Sequence, residues 1–374
     1  MRILVVALFA ALTLAAFAGC LDPEAETDPG NEAPAPTGEW VMPAIPKVDA
    51  AKMLEAHEQF VSTFSYRANN HDMHIGARDY LETEFDGMGL PVWRQKFTPN
   101  NGLAQENICG VKLGEVEPAT WVVVGGHYDT TTTDESVGVV PPGQGLSSTS
   151  QGAYDDGSGT WITVELAREY AKIPTYYSVL FCGFDGEERG LQGSRAVFDS
   201  MHGIDDRHSQ LDPFPYANDR TRGMIDFDMF GICWPVRAPI YFDQNDEVLL
   251  SEVDAIRKGM EIPDDMFKAT GITLGQSDYA HWYGYQEEHI PTAFFISDFE
   301  ELGAPTPVEQ GVTPSAPGAY PWWHQQDTVE TMRFMAGGQE MLEAGFQTAL
   351  DLGTQTLALM VLMPEVEFES STSA

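Results

Sequence analysis

The sequence predicts an α/β fold, a three-layer sandwich in which a mixed, mostly parallel sheet is covered by helices on both faces. Three observations predict it. Short β-branched runs such as WVVVGGHYDT (121–130) and YYSVLFCGFDGEE (176–188) stop abruptly in polar residues, as strands buried on both faces do where they meet a loop. Stretches with apolar residues at helical spacing alternate with these runs. Finally, 374 residues with 43% hydrophobic content are enough for one large core.

The N-terminus reads as an export signal. Arg2 precedes the apolar run ILVVALFAALTLAAFAG, which is short for a membrane span and ends in small residues before Cys20. Residues 1–19 are therefore expected to be a signal peptide. The FAGC ending resembles a lipoprotein cleavage site, which would make Cys20 the lipidated first residue. Residues 20–45, acidic and Pro-rich, have little to pack and are expected to form a disordered tether. Residues 46–374 show no repeat and no second composition regime, so one domain is expected there.

Within that domain, 47–65 and 75–89 carry apolar residues at helical spacing, and VWRQKFTP (92–99) and ENICGVKLG (106–114) read as strands. The strand 121–130 then leads into a long loop rich in Gly, Ser, Thr and Pro. SGTWITVELAREYAK (158–172) is amphipathic and helical, and the strand 176–188 follows it. GMIDFDMFG (223–231), APIYFDQ (238–244) and IPTAFFIS (290–297) are further strands, with a helix at 245–260 between the last two. A final long helix spans 338–363.

Acidic residues number 57 against 20 basic ones, a formal net charge of −37. Such a surface repels nucleic acid and anionic lipid, leaving a lipid anchor at the N-terminus as the one route to a membrane. The acidity fits either a shell for high salt or an ordinary acidic exported protein. Cys109, Cys182 and Cys233 have no CxxC spacing, which excludes a disulfide framework or a thiolate zinc site. They are read as buried small hydrophobes, with a single disulfide as the alternative.

In a sheet of this kind ligands bind beyond the carboxyl ends of the strands. Here those ends hold acids and histidines repeatedly: His127 and Asp129, then Glu187 and Glu188, then Asp228, with His324 and Asp327 in a later loop. The doublet Asp155-Asp156, inside GAYDDGSG, opens a helix between the first two. Imidazole and carboxylate without thiolate suit zinc, or cobalt or manganese. Two ions about 3.5–4 Å apart need a bridging carboxylate, and a short Asp at a helix start suits that place.

The pieces GGHYDT, GAYDDGSG, FDGEERGLQGS, IDFDMFG, SDYAHW and WWHQQDT together resemble the ordered signature of the co-catalytic di-zinc aminopeptidases, whose family includes glutamate carboxypeptidases and the related glutaminyl cyclases. The resemblance runs from about Arg67 to the last helix. It implies two zinc ions per chain, with His127 and Asp228 on one, Glu188 and His324 on the other, and Asp155 bridging. It implies that Glu187 is the general base acting on a water between the metals, and that Asp129 orients the His127 ring. It also implies a cis peptide between Asp155 and Asp156. One spacing departs: Asp327 follows His324 by three positions where the family has four, so no role extends to Asp327. Ser277-Asp278 resembles a recurring family dipeptide and receives no role.

The activity implied is an exported metallo-aminopeptidase with peptide substrates. The rivals are a single-zinc glutaminyl cyclase, a carboxypeptidase of the same fold, and a non-catalytic ectodomain. Side-chain preference and oligomeric state have no signal in the sequence. His57, His71, His74, His202, His208, His281 and His289 are read as surface or packing residues. Trp282, Tyr283, Trp322 and Trp323 are read as pocket lining or packing.

Overall fold

The computed structural model of the chain describes residues 39–68, 72–100, 102–131, 151–236, 238–270, 277–285, 288–297 and 327–368. His324, Trp322, Trp323, the signal peptide, Cys20 and most of the tether lie outside the described residues.

Two helices open the fold, α1 (Ala50–Thr63) and α2 (Asp72–Gly87), followed by β1 (Val92–Pro99), β2 (Gln105–Lys112) and β3 (Glu117–His127). Next come α3 (Gly157–Tyr170), β4 (Tyr177–Phe184), a single 3₁₀ turn (Glu187–Arg189) and α4 (Gln192–Met201). Then follow β5 (His208–Leu211), β6 (Arg220–Phe227), β7 (Ile240–Gln244), α5 (Glu247–Gly259), β8 (Phe267–Thr270), α6 (Ala280–Tyr283) and β9 (Thr292–Ser297). Helices α7 (Val329–Ala336) and α8 (Gln339–Val361) close it. Every strand and helix expected from the sequence is present. The additions, α4, β5, β8, α6 and α7, are short or broken by Gly, which weakens a periodic signal.

The nine strands form one mixed sheet in the order β5-β1-β2-β4-β3-β6-β9-β7-β8. Its centre, β4-β3-β6-β9, is parallel, β1 and β2 join one side antiparallel, and β7 joins the other antiparallel. Side chains alternate across it. Val122 and Val124 of β3 and Val179 and Phe181 of β4 pack into one core, with α1, α2, α3, α5, α7 and α8. Trp121 and Val123 of β3 and Leu180, Cys182 and Phe184 of β4 face the other core, which α4 and α6 cover through Val197, Phe198 and Trp282. Period-two alternation with apolar residues on both faces is what makes these strands read as continuous apolar runs.

Two sequence expectations change. Trp40 lies in the segment read as tether, yet its indole N–H donates to Leu362 O at 3.0 Å and its ring meets Tyr176 edge-on. The packed body therefore begins before residue 46; one aromatic in a Pro-rich stretch leaves no periodicity to read. Cys109 on β2 and Cys182 on β4 sit opposite each other and form a disulfide, while Cys233 is buried and free. Pairing is decided by strand register, which spacing in the sequence does not reveal.

Candidate metal centre

The centre lies at the carboxyl ends of β3, β4 and β6. His127 is the last residue of β3 and is buried. Its Nε2 lies 3.2 Å from Asp155 Oδ1, 3.8 Å from Glu187 Oε2 and 3.8 Å from Asp228 Oδ1. Donor atoms of His127, Glu187 and Asp228 all fall within 4.8 Å of one another. Glu188 turns away toward the β3 end, where its Oε1 accepts the Thr131 N–H at 3.2 Å. The structure thus brings His127, Asp155, Glu187 and Asp228 together and sets Glu188 beside them, while His324 lies outside the described residues.

The doublet divides its work. The peptide between Asp155 and Asp156 is cis. Asp156 caps α3 by accepting the Gly159 N–H at 2.8 Å, and also accepts the N–H groups of His127 at 3.1 Å and Met229 at 3.3 Å. One carboxylate therefore fixes the helix start, the end of β3 and the chain just after Asp228. The small residues around it serve close packing: a Cβ on Gly159 would sit 1.9 Å from Phe227 O on β6.

Asp129 meets the His127 ring at Nδ1, chiefly through its main chain. The ring Nδ1 hydrogen bonds to the Asp129 main-chain carbonyl at 3.1 Å, with the carboxylate at 3.5 Å. The carboxylate instead accepts the Glu187 N–H at 3.1 Å. Glu187 itself follows Gly186, whose φ of 77° and contact with Gln105 leave no space for a side chain.

Sequence reasoning missed three residues. Asp327 accepts the N–H of Tyr154 at 2.9 Å and of Asp155 at 2.8 Å, a role the shortened spacing after His324 concealed. Arg67 is fully buried and donates to the carbonyls of Tyr128 at 2.6 Å, Gln151 at 2.7 Å, Gly152 at 2.9 Å and Phe64 at 3.2 Å. No motif marks it; the one available signal was a basic residue in so acidic a chain. Asp278, left without a role, is enclosed beside the centre. Trp282 is buried packing rather than pocket lining.

The centre is short of positive charge. Burial raises the Glu187 carboxyl far above the carboxylate range; His127 opposes this, while Asp228, Asp278 and Glu188 reinforce it. Burial pushes Asp278 up to about 7 and Asp327 up to about 8, and raises Asp156 as well. Burial would lower His127, but the carboxylates of Glu187, Asp129, Asp155 and Asp228 together hold it well above its usual value. Yet among the described residues His127 Nε2 and Asp228 Oδ1, both buried, have no hydrogen-bond partner. Nitrogen and oxygen donors without hydrogen bonds among the described residues, a few ångströms apart amid excess negative charge, fit a divalent cation.

The family model described as peptidase family M28 matches residues 107–336. A probable zinc metalloprotease of Pyrenophora tritici-repentis is 36% identical over 88 residues, 24% of this chain and 17% of that one. Aminopeptidase YwaD of Bacillus subtilis is 25% identical over 227 residues, 60% of this chain and 40% of the relative. The chain thus spans well under half the length of either relative. Among solved structures, BSAP, a zinc aminopeptidase from Bacillus subtilis, superposes with a TM-score of 0.61 at 15% identity, over 85% of this chain and 96% of that one. A Bacteroides thetaiotaomicron glutaminyl cyclase gives 0.54 at 19% identity, over 82% and 98%. These likenesses bear on fold.

Proposed function

The chain belongs to peptidase family M28, and from that membership we propose that it is a zinc-dependent aminopeptidase releasing N-terminal residues from peptides. The observation that carries this reading is the pair of buried donors His127 Nε2 and Asp228 Oδ1, neither hydrogen-bonded among the described residues, 3.8 Å apart and beside Glu187. Zinc suits a set of imidazole and carboxylate, and one relative is named a zinc metalloprotease. We assign His127 and Asp228 to one ion, Glu188 and His324 to a second, and Asp155 to the position between them.

Zinc held there would supply Lewis acidity, polarising the peptide carbonyl and lowering the pKa of the attacking water. With zinc in place, the Glu187 carboxylate would take that water's proton and pass it to the leaving amine. The Glu187 main chain is pinned to Asp129, so the base keeps its place through both transfers. The Asp129 carbonyl accepts a hydrogen bond from His127 Nδ1–H, which leaves the Nε2 lone pair for the metal. Around the centre stand Asp129, Asp155, Glu187, Asp228 and Asp278, while the N–H groups of nearby Arg67 go to main-chain carbonyls. An acid-rich site of this kind favours a substrate's terminal ammonium over a terminal carboxylate, and the relative YwaD is named an aminopeptidase.

We also place the protein outside the cytoplasm, tethered through Cys20. The apolar N-terminal run and the Cys109–Cys182 disulfide support an oxidising compartment. The deciding experiment measures zinc per chain together with turnover of an aminoacyl anilide and of an N-terminal glutaminyl peptide. Two zincs and release of the N-terminal residue are expected. One zinc with cyclisation of the glutaminyl peptide would replace this reading with the cyclase.

A further inference from the structure

We propose that a cavity beside the 3₁₀ turn is a carboxylate-binding subsite for acidic peptides. Its volume is 360 Å³ and its walls include Arg189, Arg195, Arg207, His208, Asn100 and Gln192. In a chain of net charge −37, three guanidinium groups around one cavity are a strong local reversal of sign. Five other arginines, Arg78, Arg94, Arg168, Arg257 and Arg333, pair with carboxylates, while Arg67 and Arg222 donate to main-chain carbonyls. Arg207 and His208 share the buried Asp199, at 3.1 and 2.9 Å. Arg189 and Arg195 have no carboxylate partner among the described residues. Asp199 thus answers Arg207 and His208, and the two forked donors of Arg189 and Arg195 remain for an incoming anion. A planar guanidinium matches a carboxylate through two parallel hydrogen bonds.

Location identifies the ligand. Arg189 directly follows Glu188 in the same 3₁₀ turn, so one turn supplies both a proposed zinc ligand and a wall of the cavity. An extended peptide advances about 3.3–3.6 Å per residue, so the four-residue peptides used below test whether a chain held at the centre reaches the cavity. Free polyanions are repelled at longer range by the acidic surface. A short peptide with its ammonium at the centre and one carboxylate downstream meets complementary charge at both ends. The inference rests on the aminopeptidase reading for the direction of the peptide.

The test uses the zinc-loaded protein and three four-residue peptides of the Leu-Ala-Ala-X type. In one, X is Glu with an amidated terminus; in another, X is Gln with a free terminus; in the last, X is Gln amide and the peptide has no anion. The first two separate a side-chain from a terminal carboxylate. At low salt the wild type is expected to favour at least one anionic peptide by about tenfold in kcat/KM, mainly through KM. Arg195→Gln and Arg189→Gln should each reduce that ratio, and the double variant should bring it near one. Equal kcat/KM for all three peptides, or a preference that survives the double variant, overturns the subsite. If none of the peptides is cleaved, the aminopeptidase reading fails. Fluorescence anisotropy with a labelled Leu-Ala-Ala-Glu amide, which carries a single carboxylate, then decides the subsite alone. Binding weakened about tenfold by the double variant supports it, and unchanged or absent binding overturns it.

Discussion

Asp327 holds the main-chain N–H groups of Tyr154 and Asp155, at 2.9 and 2.8 Å, and so fixes the backbone of the candidate bridging residue from a helix start far along the chain. A side chain that orients a ligand in this way acts through metal affinity. Asp327→Ala is expected to weaken zinc binding and turnover about 10–100-fold, while Asp327→Asn, which keeps one oxygen acceptor, should lose less. Zinc titration against a competing chelator measures the difference.

Replacing Glu187 with Ala removes the proposed base without removing an assigned zinc ligand. Hydrolysis should fall by about 10²–10⁴-fold with zinc content unchanged. Near-normal turnover by this variant would show that another group carries the proton.

Arg67 donates to four carbonyls from a fully buried position. Burial lowers its pKa to about 10, and the charges of Asp327, Asp156, Asp129 and Asp155 oppose that fall, so it stays protonated at neutral pH. Arg67→Met strands several buried acceptors at about 1–3 kcal/mol each and should lower stability by about 3 kcal/mol or more. Arg67→Lys recovers little, because an ammonium cannot span the fork. Urea denaturation of the zinc-loaded variants provides the measurement.

Asp278 and Asp327 bind their protons more tightly in the folded chain, at about 7 and about 8 against 3.8 for a free side chain. A carboxyl shifted upward stabilises the fold at acid pH, and that contribution is lost as pH rises through the raised value. The metal-stripped protein should therefore melt at a higher temperature near pH ~5 than near pH ~8. Zinc supplies the missing positive charge and should flatten the slope. Thermal melts with chelator and with zinc compare the two; an opposite slope in the stripped protein would show that these acids are ionised throughout.

Cys109 and Cys182 join strands separated by 73 residues in sequence. Replacing both with Ala should cost about 2–5 kcal/mol, read as a lower melting temperature, and a reducing agent should lower the wild type in the same direction.

The sequence made the sheet legible because its buried strands, such as Val122–Val124, leave apolar runs that end in chemistry. His127, Asp155, Asp228 and the Glu pair were legible for the same reason, since each sits where a strand stops or a helix begins. Asp327 and Arg67 were not, because their partners are main-chain groups, and a hydrogen bond to a carbonyl or N–H imposes no residue type on the other side. The orientation of Asp129 was half legible: its nearness to His127 follows from a spacing of two, but which of its oxygens faces the ring depends on the turn.

The ring closed by Cys109 and Cys182 contains His127, Asp129, Asp155 and Asp156 and excludes Glu187, Glu188, Asp228 and Asp327. A protease that cuts anywhere between the two cysteines opens a ring rather than severing a chain. The nicked protein stays one covalent molecule, with both halves of its centre still attached to the same sheet.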